Sequence, residues 1–362
     1  IMKKVLLITG SFGNGHLQVS KSIKSMFLKK YKDQVEVIES DLFLQAHPNL
    51  TPVLKQLYLY SFSYFRDVYG YLYYAGKNHV DTSFYRYFSY EYLKKLVNQV
   101  KPEVIISTFP TPALSLLKGN IPVVNIITDY HLHKSWLTKK SVGYYVATNE
   151  LKEELKNSGV DDEKIKVFGL PIAEKFDEKI DKDEWLFKNN LSKDKKTILL
   201  SAGAFGVSKN FATIINNILR EKENIQIVVI CGKNRELKDV LESLYSKYLS
   251  VKVIGYTSNM REWMQSSDIF VTKAGGVTIS EAIASNVPLI LFDPIPGQEM
   301  ENALYFEKKK MANIAHKDED VILLTSTMLN SEELNRFKEN MKINYKPKAT
   351  ENICDHILKL IE

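Results

Sequence analysis

Strand-length apolar runs that close on small or turn-forming residues, each followed by a stretch of helical spacing, most constrain how this chain folds. In the first half these runs are residues 5–9, 35–38, 104–108, 123–128 and 144–148. A second series follows Asp181-Lys182-Asp183: residues 197–201, 225–231, 251–254, 269–272 and 288–292. Near-continuous apolar strands alternating with amphipathic helices predict parallel sheets with crossover helices. Two such series predict an α/β chain of two doubly wound, Rossmann-like domains facing each other across a cleft. The expected boundaries are 1–172 for the first domain and 173–345 for the second, with the join near Gly169-Leu170-Pro171. Residues 346–362 carry Ile353, Ile357, Leu358 and Ile361 at helical spacing. They are expected to form a helix that packs back on the first domain.

A length of 362 residues is enough for two separate cores. Hydrophobic residues at 44% and charged residues at 25% exclude a disordered chain. The longest apolar runs, such as 288–292, fall far short of the roughly 18–20 residues that cross a bilayer. The short apolar run after Lys3-Lys4 reads as a buried strand and not a signal peptide. Cys231 and Cys354 read as free thiols in a reducing compartment. The net charge of +6 is uneven: residues 1–160 hold 20 Lys/Arg against 12 Asp/Glu, and the remainder holds 29 against 31. A basic N-terminal half suits an anionic partner, whether lipid headgroups or nucleic acid, and equally a solubilising surface.

Between Tyr58 and Tyr92 lie 15 of the chain's 40 aromatic residues, interleaved with Arg66, Lys77 and Arg86. Aromatic rings beside cations suit the bilayer interface. Tyr58, Phe62, Phe65, Arg66, Tyr69, Tyr73 and Tyr74 are therefore candidate membrane contacts. The other reading is that they are core aromatics of long helices. Base stacking on a basic surface would use similar residues, but no recognised nucleic-acid motif accompanies them.

Three glycine turns follow strands and open helices. In Gly10-Ser11-Phe12-Gly13-Asn14-Gly15-His16 the glycines allow a sharp turn and close ligand approach, and the helix start offers free N–H groups. The spacing departs from the dinucleotide G-x-G-x-x-G pattern. His16 stands where either a general base or a structural cap would sit. Ser201-Ala202-Gly203-Ala204-Phe205-Gly206 repeats the arrangement in the second series. The third turn, Lys273-Ala274-Gly275-Gly276-Val277-Thr278, leads into Ser280 and Glu281, and a diphosphate placed there gains N–H donors and the helix dipole. Glu281 is expected on the first helical turn, either accepting from ribose hydroxyls or favouring the helix start by its charge. Further on, Pro296-Gly297-Gln298-Glu299 and Asn302 form either a polar loop capping a helix or a set of groups that reads sugar hydroxyls.

Metal-dependent sugar transfer would display a D-x-D pair after a strand. Asp181-Lys182-Asp183 and Asp318-Glu319-Asp320 have that spelling but sit in charged, loop-like stretches, and they read as solvated surface. His131 and His133 lack a third ligand for zinc.

Taken together, these segments resemble the UDP-sugar:diacylglycerol glycosyltransferases, a group that includes monogalactosyldiacylglycerol synthases and bacterial processive diacylglycerol glucosyltransferases, the second being nearer. The resemblance rests on Gly13-Asn14-Gly15-His16, Thr108-Phe109-Pro110, Thr128-Asp129 with His133 and Trp136, Tyr145-Val146-Ala147-Thr148, Gly169-Leu170-Pro171-Ile172, Gly275-Gly276-Val277-Thr278 and Pro296-Gly297-Gln298-Glu299. It implies a GT-B fold, an inverting reaction, and no cofactor or essential metal. It also implies His16 as the base, with Gly13, Asn14, Gly15, Asp129 and His133 on the acceptor side. Donor binding is implied for Gly203, Gly275, Gly276, Val277, Thr278, Glu281, Gln298, Glu299 and Asn302. The implied substrates are UDP-glucose, diacylglycerol and glucosyl-diacylglycerol, handled at an anionic membrane surface by a peripheral protein on the cytoplasmic face, without nucleic acid. The plant enzymes have a more glycine-rich first loop, whereas this chain has Asn14, so the choice of sugar does not transfer from them. The alternatives are a UDP-galactose-dependent synthase and a UDP-sugar sensor without catalysis.

Overall fold

A computed structural model describes residues 2–11, 13–53, 56, 89–205, 211–221 and 223–362. The apolar runs form two parallel sheets. The first contains β1 (Lys3–Thr9), β2 (Val35–Asp41), β3 (Val104–Ser107), β4 (Val123–Ile126), β5 (Ser141–Val146) and β6 (Ile165–Val167), in the order β2-β1-β3-β4-β5-β6. The second contains β7 (Lys196–Ser201), β8 (Ile225–Ile230), β9 (Val251–Ile254), β10 (Ile269–Thr272), β11 (Leu289–Phe292) and β12 (Ala312–Ala315), in the order β12-β11-β10-β7-β8-β9. Every pairing is parallel.

Sequence spacing does not reveal β6 or β12. Both are short edge strands, and Lys166 and Asn313 break their apolar character, so pairing with a neighbour decides their conformation.

The helices between the strands are α1 (Asn14–Lys30), α2 (Leu42–Ala46), α3 (Tyr90–Val100) and α4 (Asn149–Asn157) in the first series. The second series has α5 (Lys182–Lys188), α6 (Phe211–Glu221), α7 (Arg235–Tyr245), α8 (Met260–Ser266), α9 (Gly276–Ser285), α10 (Gln298–Lys308), α11 (Asp318–Met328) and α12 (Ser331–Asn344). The C-terminal α13 spans Ala349–Leu360. Local chemistry starts several of them: Thr148 Oγ1 accepts from Leu151 N at 3.1 Å to cap α4. The two acidic triplets are helix starts and not surface loops. Asp181 accepts from Glu184 N at 2.9 Å at the head of α5, and Asp320, in the first turn of α11, accepts from His316 N at 2.9 Å.

The chain divides into two compact units: Ile1–Glu174 with Ile295–Glu301 and Lys346–Glu362, and Lys175–Pro294 with Asn302–Tyr345. Short segments therefore leave each sequence-contiguous stretch for the other unit. The first unit packs Leu6, Ile8, Leu93 and Ile105 in one cluster and Ile127, Trp136, Tyr144 and Leu151 in another. The second centres on Ile198, Leu200, Ile214, Ile227, Val229 and Phe337. Each such side chain, fully buried, contributes roughly 1.5–3 kcal/mol of transfer free energy. All six residues of β8 are buried, as in a sheet covered on both faces.

Within the first unit α13 lies on α1. Lys30 Nζ meets Glu351 at 2.7 Å and Asp355 at 2.9 Å, and Thr350 Oγ1 donates to Ile172 O at 2.7 Å. Gly169, at φ +93°, permits this docking, because a Cβ there would lie 2.8 Å from Lys346 Cβ. Cys231 and Cys354 are free and buried.

Each sheet has one place where successive strands depart in opposite directions: β1/β3 in the first unit and β7/β10 in the second. In doubly wound sheets ligands bind outside the strand ends at such a switch point. Among the described residues no helix is long and apolar enough to cross a membrane, and no cluster of His, Cys, Asp or Glu is suited to a metal.

Candidate active site

The β1/β3 switch point of the first unit holds His16. It is the third residue of α1, a helix whose N-cap is Gly13 in extended backbone, with no side-chain cap and no acid in the first turn. Asn14 is exposed, and Gly15 lies inside the helix. The imidazole Nδ1 is 2.9 Å from the carbonyl oxygen of Thr108, just past β3, and 3.0 Å from Thr128 Oγ1, two residues past β4.

A carbonyl oxygen only accepts, so Nδ1 carries the hydrogen and donates it to Thr108. In the neutral ring the lone pair then sits on Nε2. Burial pushes the imidazole pKa down, and the Asp129 charge and the Thr108 carbonyl offset only part of this, leaving it below the usual histidine range. His16 is therefore neutral at pH 7, with its tautomer fixed and Nε2 able to take a proton. The Phe109 ring packs edge-on against it at 4.9 Å, and Trp136 stands at 6.5 Å.

Trp136 is held there by His133, whose Nδ1 accepts from Ser135 N at 3.3 Å and caps the short turn Lys134–Trp136. Asp129 is buried, and its Oδ2 accepts from Gln298 Nε2 at the start of α10. Glu299 turns its carboxylate back to Ile295 N at 3.2 Å, which fixes the loop that Gly297 turns at φ +105°. Both residues belong to the segment Ile295–Glu301 that groups with the first unit.

The β7/β10 switch point of the second unit is lined by the other two glycine turns. Gly203 is exposed in the short turn Ala202–Phe205 that follows β7. Beyond β10, α9 starts at Gly276 with Gly275 as a cap that brings no side chain, no acid in the first turn, and open space where a Cβ would stand. The cap brings no side-chain partner to the first N–H groups, which are backed by the positive end of the dipole, an arrangement that can accept an anion. Val277 is buried and Thr278 is half-buried within that first turn.

Glu281 is the sixth residue of α9 and so lies on the second turn, not the first. Its role is therefore not to favour the helix start by charge. Burial pushes its carboxyl up to about 7, opposed by the charge of Lys175. Asn302 is buried, and its Nδ2 donates to Ala274 O at 3.1 Å, bracing the loop ahead of α9.

The curated proteins include relatives that align with almost the whole chain. Processive diacylglycerol beta-glucosyltransferases of Staphylococcus saprophyticus and Staphylococcus aureus are each 46% identical to it, over 99% of this chain and 93% of theirs. The chain belongs to the processive diacylglycerol beta-glucosyltransferase family. In keeping with that family, residues 16–172 match the monogalactosyldiacylglycerol (MGDG) synthase domain and residues 198–357 the glycosyltransferase family 28 C-terminal domain. Among solved structures, the kitacinnamycin glycotransferase covers 100% of both chains at TM-score 0.66 and 13% identity. The S. aureus MnaA–UDP structure covers 98% of this chain and 96% of its own at TM-score 0.62 and 14% identity. Acinetobacter baumannii MurG covers 99% of both at TM-score 0.61 and 13% identity. The fold is GT-B.

Around His16 the structure gathers Asp129, Gln298 and the turn capped by His133; in the second unit it gathers Gly275, Gly276, Thr278 and Asn302. The candidate membrane contacts Tyr58, Phe62, Phe65, Arg66, Tyr69, Tyr73 and Tyr74 lie outside the described residues. Sequence reasoning left the partners of His16 unidentified. One is a backbone carbonyl, which no side-chain pattern announces. His131, read from the sequence only as half of a histidine pair lacking a third zinc ligand, has its Nδ1 3.1 Å from Glu154 and 3.8 Å from Glu301.

Proposed function

We propose that this chain is an inverting transferase that moves glucose from UDP-glucose to diacylglycerol, and then to the monoglucosyl product, to make membrane glycolipid. The observation that carries the reading is the 46% identity to processive diacylglycerol beta-glucosyltransferases over 99% of the chain. The site chemistry supports it. His16 Nε2 takes the proton of the acceptor hydroxyl while that oxygen bonds to the anomeric carbon. The bond from that carbon to the UDP oxygen breaks, and UDP leaves with the electron pair. One displacement inverts the anomeric centre. The growing charge on the diphosphate is met by the N–H groups of Gly276, Val277 and Thr278 at the head of α9. Glu281 accepts from the ribose, and Gln298 and Glu299 read the sugar. Asn302 acts by holding Ala274, and so the phosphate loop, in place.

The acceptor is a lipid, so the protein works at the cytoplasmic face as a peripheral protein. The basic, aromatic stretch that includes Tyr58, Phe62, Phe65, Arg66, Tyr69, Tyr73 and Tyr74 supplies the contact with anionic lipid.

The test is transfer from radiolabelled UDP-glucose or UDP-galactose to diacylglycerol in vesicles, with the lipids then separated. Label from UDP-glucose in mono- and diglucosyl lipid is the expected result. Label from UDP-galactose alone reassigns the sugar, and label from neither donor removes the enzyme reading. His16→Ala should keep UDP affinity and lose about 10²–10⁴-fold in kcat. Unchanged turnover would remove the base. Because the His16 pKa is lowered, kcat/KM should stay level near pH 7 and fall only below the usual histidine range.

A further inference from the structure

Two successive residues tie the base to the start of α10. The Thr128 hydroxyl stands 3.0 Å from His16 Nδ1, and the next residue, Asp129, accepts from the amide of Gln298. Asp129 is 6% exposed, so its carboxylate is poorly screened, and its charge is felt at His16. Among the described residues no other charged side chain acts on His16. Among the described residues the imidazole also meets Thr108, Thr128, Phe109 and Trp136.

The contact also has a polarity. A carboxylate accepts only, so Gln298 must turn its NH₂ to Asp129. Its Oε1 makes no hydrogen bond among the described residues and is left to accept from a hydroxyl. The amide is thus oriented by the same carboxylate whose charge faces the imidazole.

We propose that Asp129 is a positioning residue through which Gln298 and His16 are coupled, so that donor engagement and proton removal are linked by one buried carboxylate. This rests on the transferase reading above. Gln298 shares the charge of Asp129. When a donor hydroxyl polarises the amide or draws it away, the share left facing His16 changes, and the strength of the base changes with it. Hydrogen-bonded chains in a low-dielectric interior pass charge shifts in this way.

The coupling predicts opposite signs for two changes at one contact. Titration of ¹⁵N-labelled imidazole by NMR follows His16 in the full chain, in the unaltered protein, in Asp129→Asn and in Gln298→Ala. Asp129→Asn removes the facing negative charge, so His16 should titrate at lower pH. Gln298→Ala removes the amide that shares that charge, so His16 should titrate at higher pH. A purely structural role would move both the same way or neither, and either result overturns the proposal. If Asp129→Asn does not fold, Gln298→Ala decides alone, and absence of an upward displacement overturns the proposal.

The same proteins are assayed for glucosyl transfer. For Asp129→Asn, the acid limb of kcat/KM should move to lower pH, with kcat about tenfold down, less than the roughly 10²–10⁴-fold lost when the base itself is removed. Opposite displacements in a protein that transfers no sugar would retire the transferase reading and keep the coupling. Transfer with unmoved titrations would do the reverse.

Discussion

Asn302 donates from Nδ2 to the carbonyl oxygen of Ala274, 3.1 Å away, and the bond fastens α10 to the loop that opens α9. Both partners are buried. Asn302→Ala leaves that carbonyl without its donor, which should cost about 1–3 kcal/mol of stability. Because the loop ahead of Gly275 loosens, UDP affinity should weaken as well. Urea unfolding and calorimetric titration with UDP check the two effects. An unaltered UDP affinity would show that the loop holds its shape without Asn302.

Gly10 closes β1 where the chain passes Phe109. A Cβ there would lie 2.8 Å from the Phe109 ring, which packs edge-on against both His16 and Phe43. Gly10→Ala must displace that ring, an overpacking change that typically costs about 1–3 kcal/mol. The displaced ring moves His16, so kcat should fall more than KM rises. Steady-state kinetics beside a thermal melt separate the two, and equal kcat in a destabilised protein would reject the link to His16.

Glu281 carries a carboxyl pushed from 4.5 up to about 7. The folded protein therefore holds its proton more tightly than the unfolded chain does. Between those two values the native state binds more protons, so this group makes stability fall as pH rises from 4.5 towards 7. Glu281→Gln should flatten that part of the pH–stability curve. If Glu281 accepts from ribose hydroxyls as proposed, UDP affinity should rise through the upper end of the same range, where the carboxylate ionises. Melts and UDP titrations at a series of pH values check both. A Glu281→Gln protein with the original pH dependence would remove the assignment.

Asp268, buried at the foot of β10, accepts from Thr197 N at 2.9 Å and faces Lys338 at 3.4 Å, Lys196 at 3.6 Å and Lys182 at 3.8 Å. Burial alone would raise its pKa. Lys182, the Thr197 N–H, Lys338 and Lys196 together hold it below the usual carboxylate range. Its contribution is present above the unfolded value of 3.8 and is lost as pH falls through the folded one. Asp268→Asn leaves three partly exposed lysines without their shared counter-charge and Thr197 N with a neutral acceptor, so the loss should be about 1–3 kcal/mol. Denaturation at pH 7 and below 4 checks it. The variant should lose the acid-dependent share of stability, and an unchanged midpoint at pH 7 would contradict the network.

Much of the fold was legible in the residues. Runs such as 225–230 and 269–272 announce buried parallel strands because a sheet covered on both faces needs continuous apolar sequence. Glycine turns before α1 and α9 mark uncapped helix starts, since only there does a backbone N–H end stand open to a ligand. The edge strands β6 and β12 were not legible. Their sequences, Ile165–Val167 and Ala312–Ala315, carry little intrinsic preference, and pairing with β5 and β11 supplies the rest.

The sequence by itself determined the two α/β halves, the helix ends open to an anion and the place of His16 at a helix start, because each depends on neighbours a few residues apart; the base role came from the resemblance of the whole chain. Only the tertiary structure decided which nitrogen of His16 is left able to take a proton, that Asp129 holds Gln298, and that Asn302 braces Ala274. Those partners are 92 residues from His16 to Thr108, 169 from Asp129 to Gln298 and 28 from Ala274 to Asn302. Contacts at such separations exist only after the sheets have assembled, and the donor–acceptor polarity that sets their chemistry is a property of distance and orientation, not of residue type.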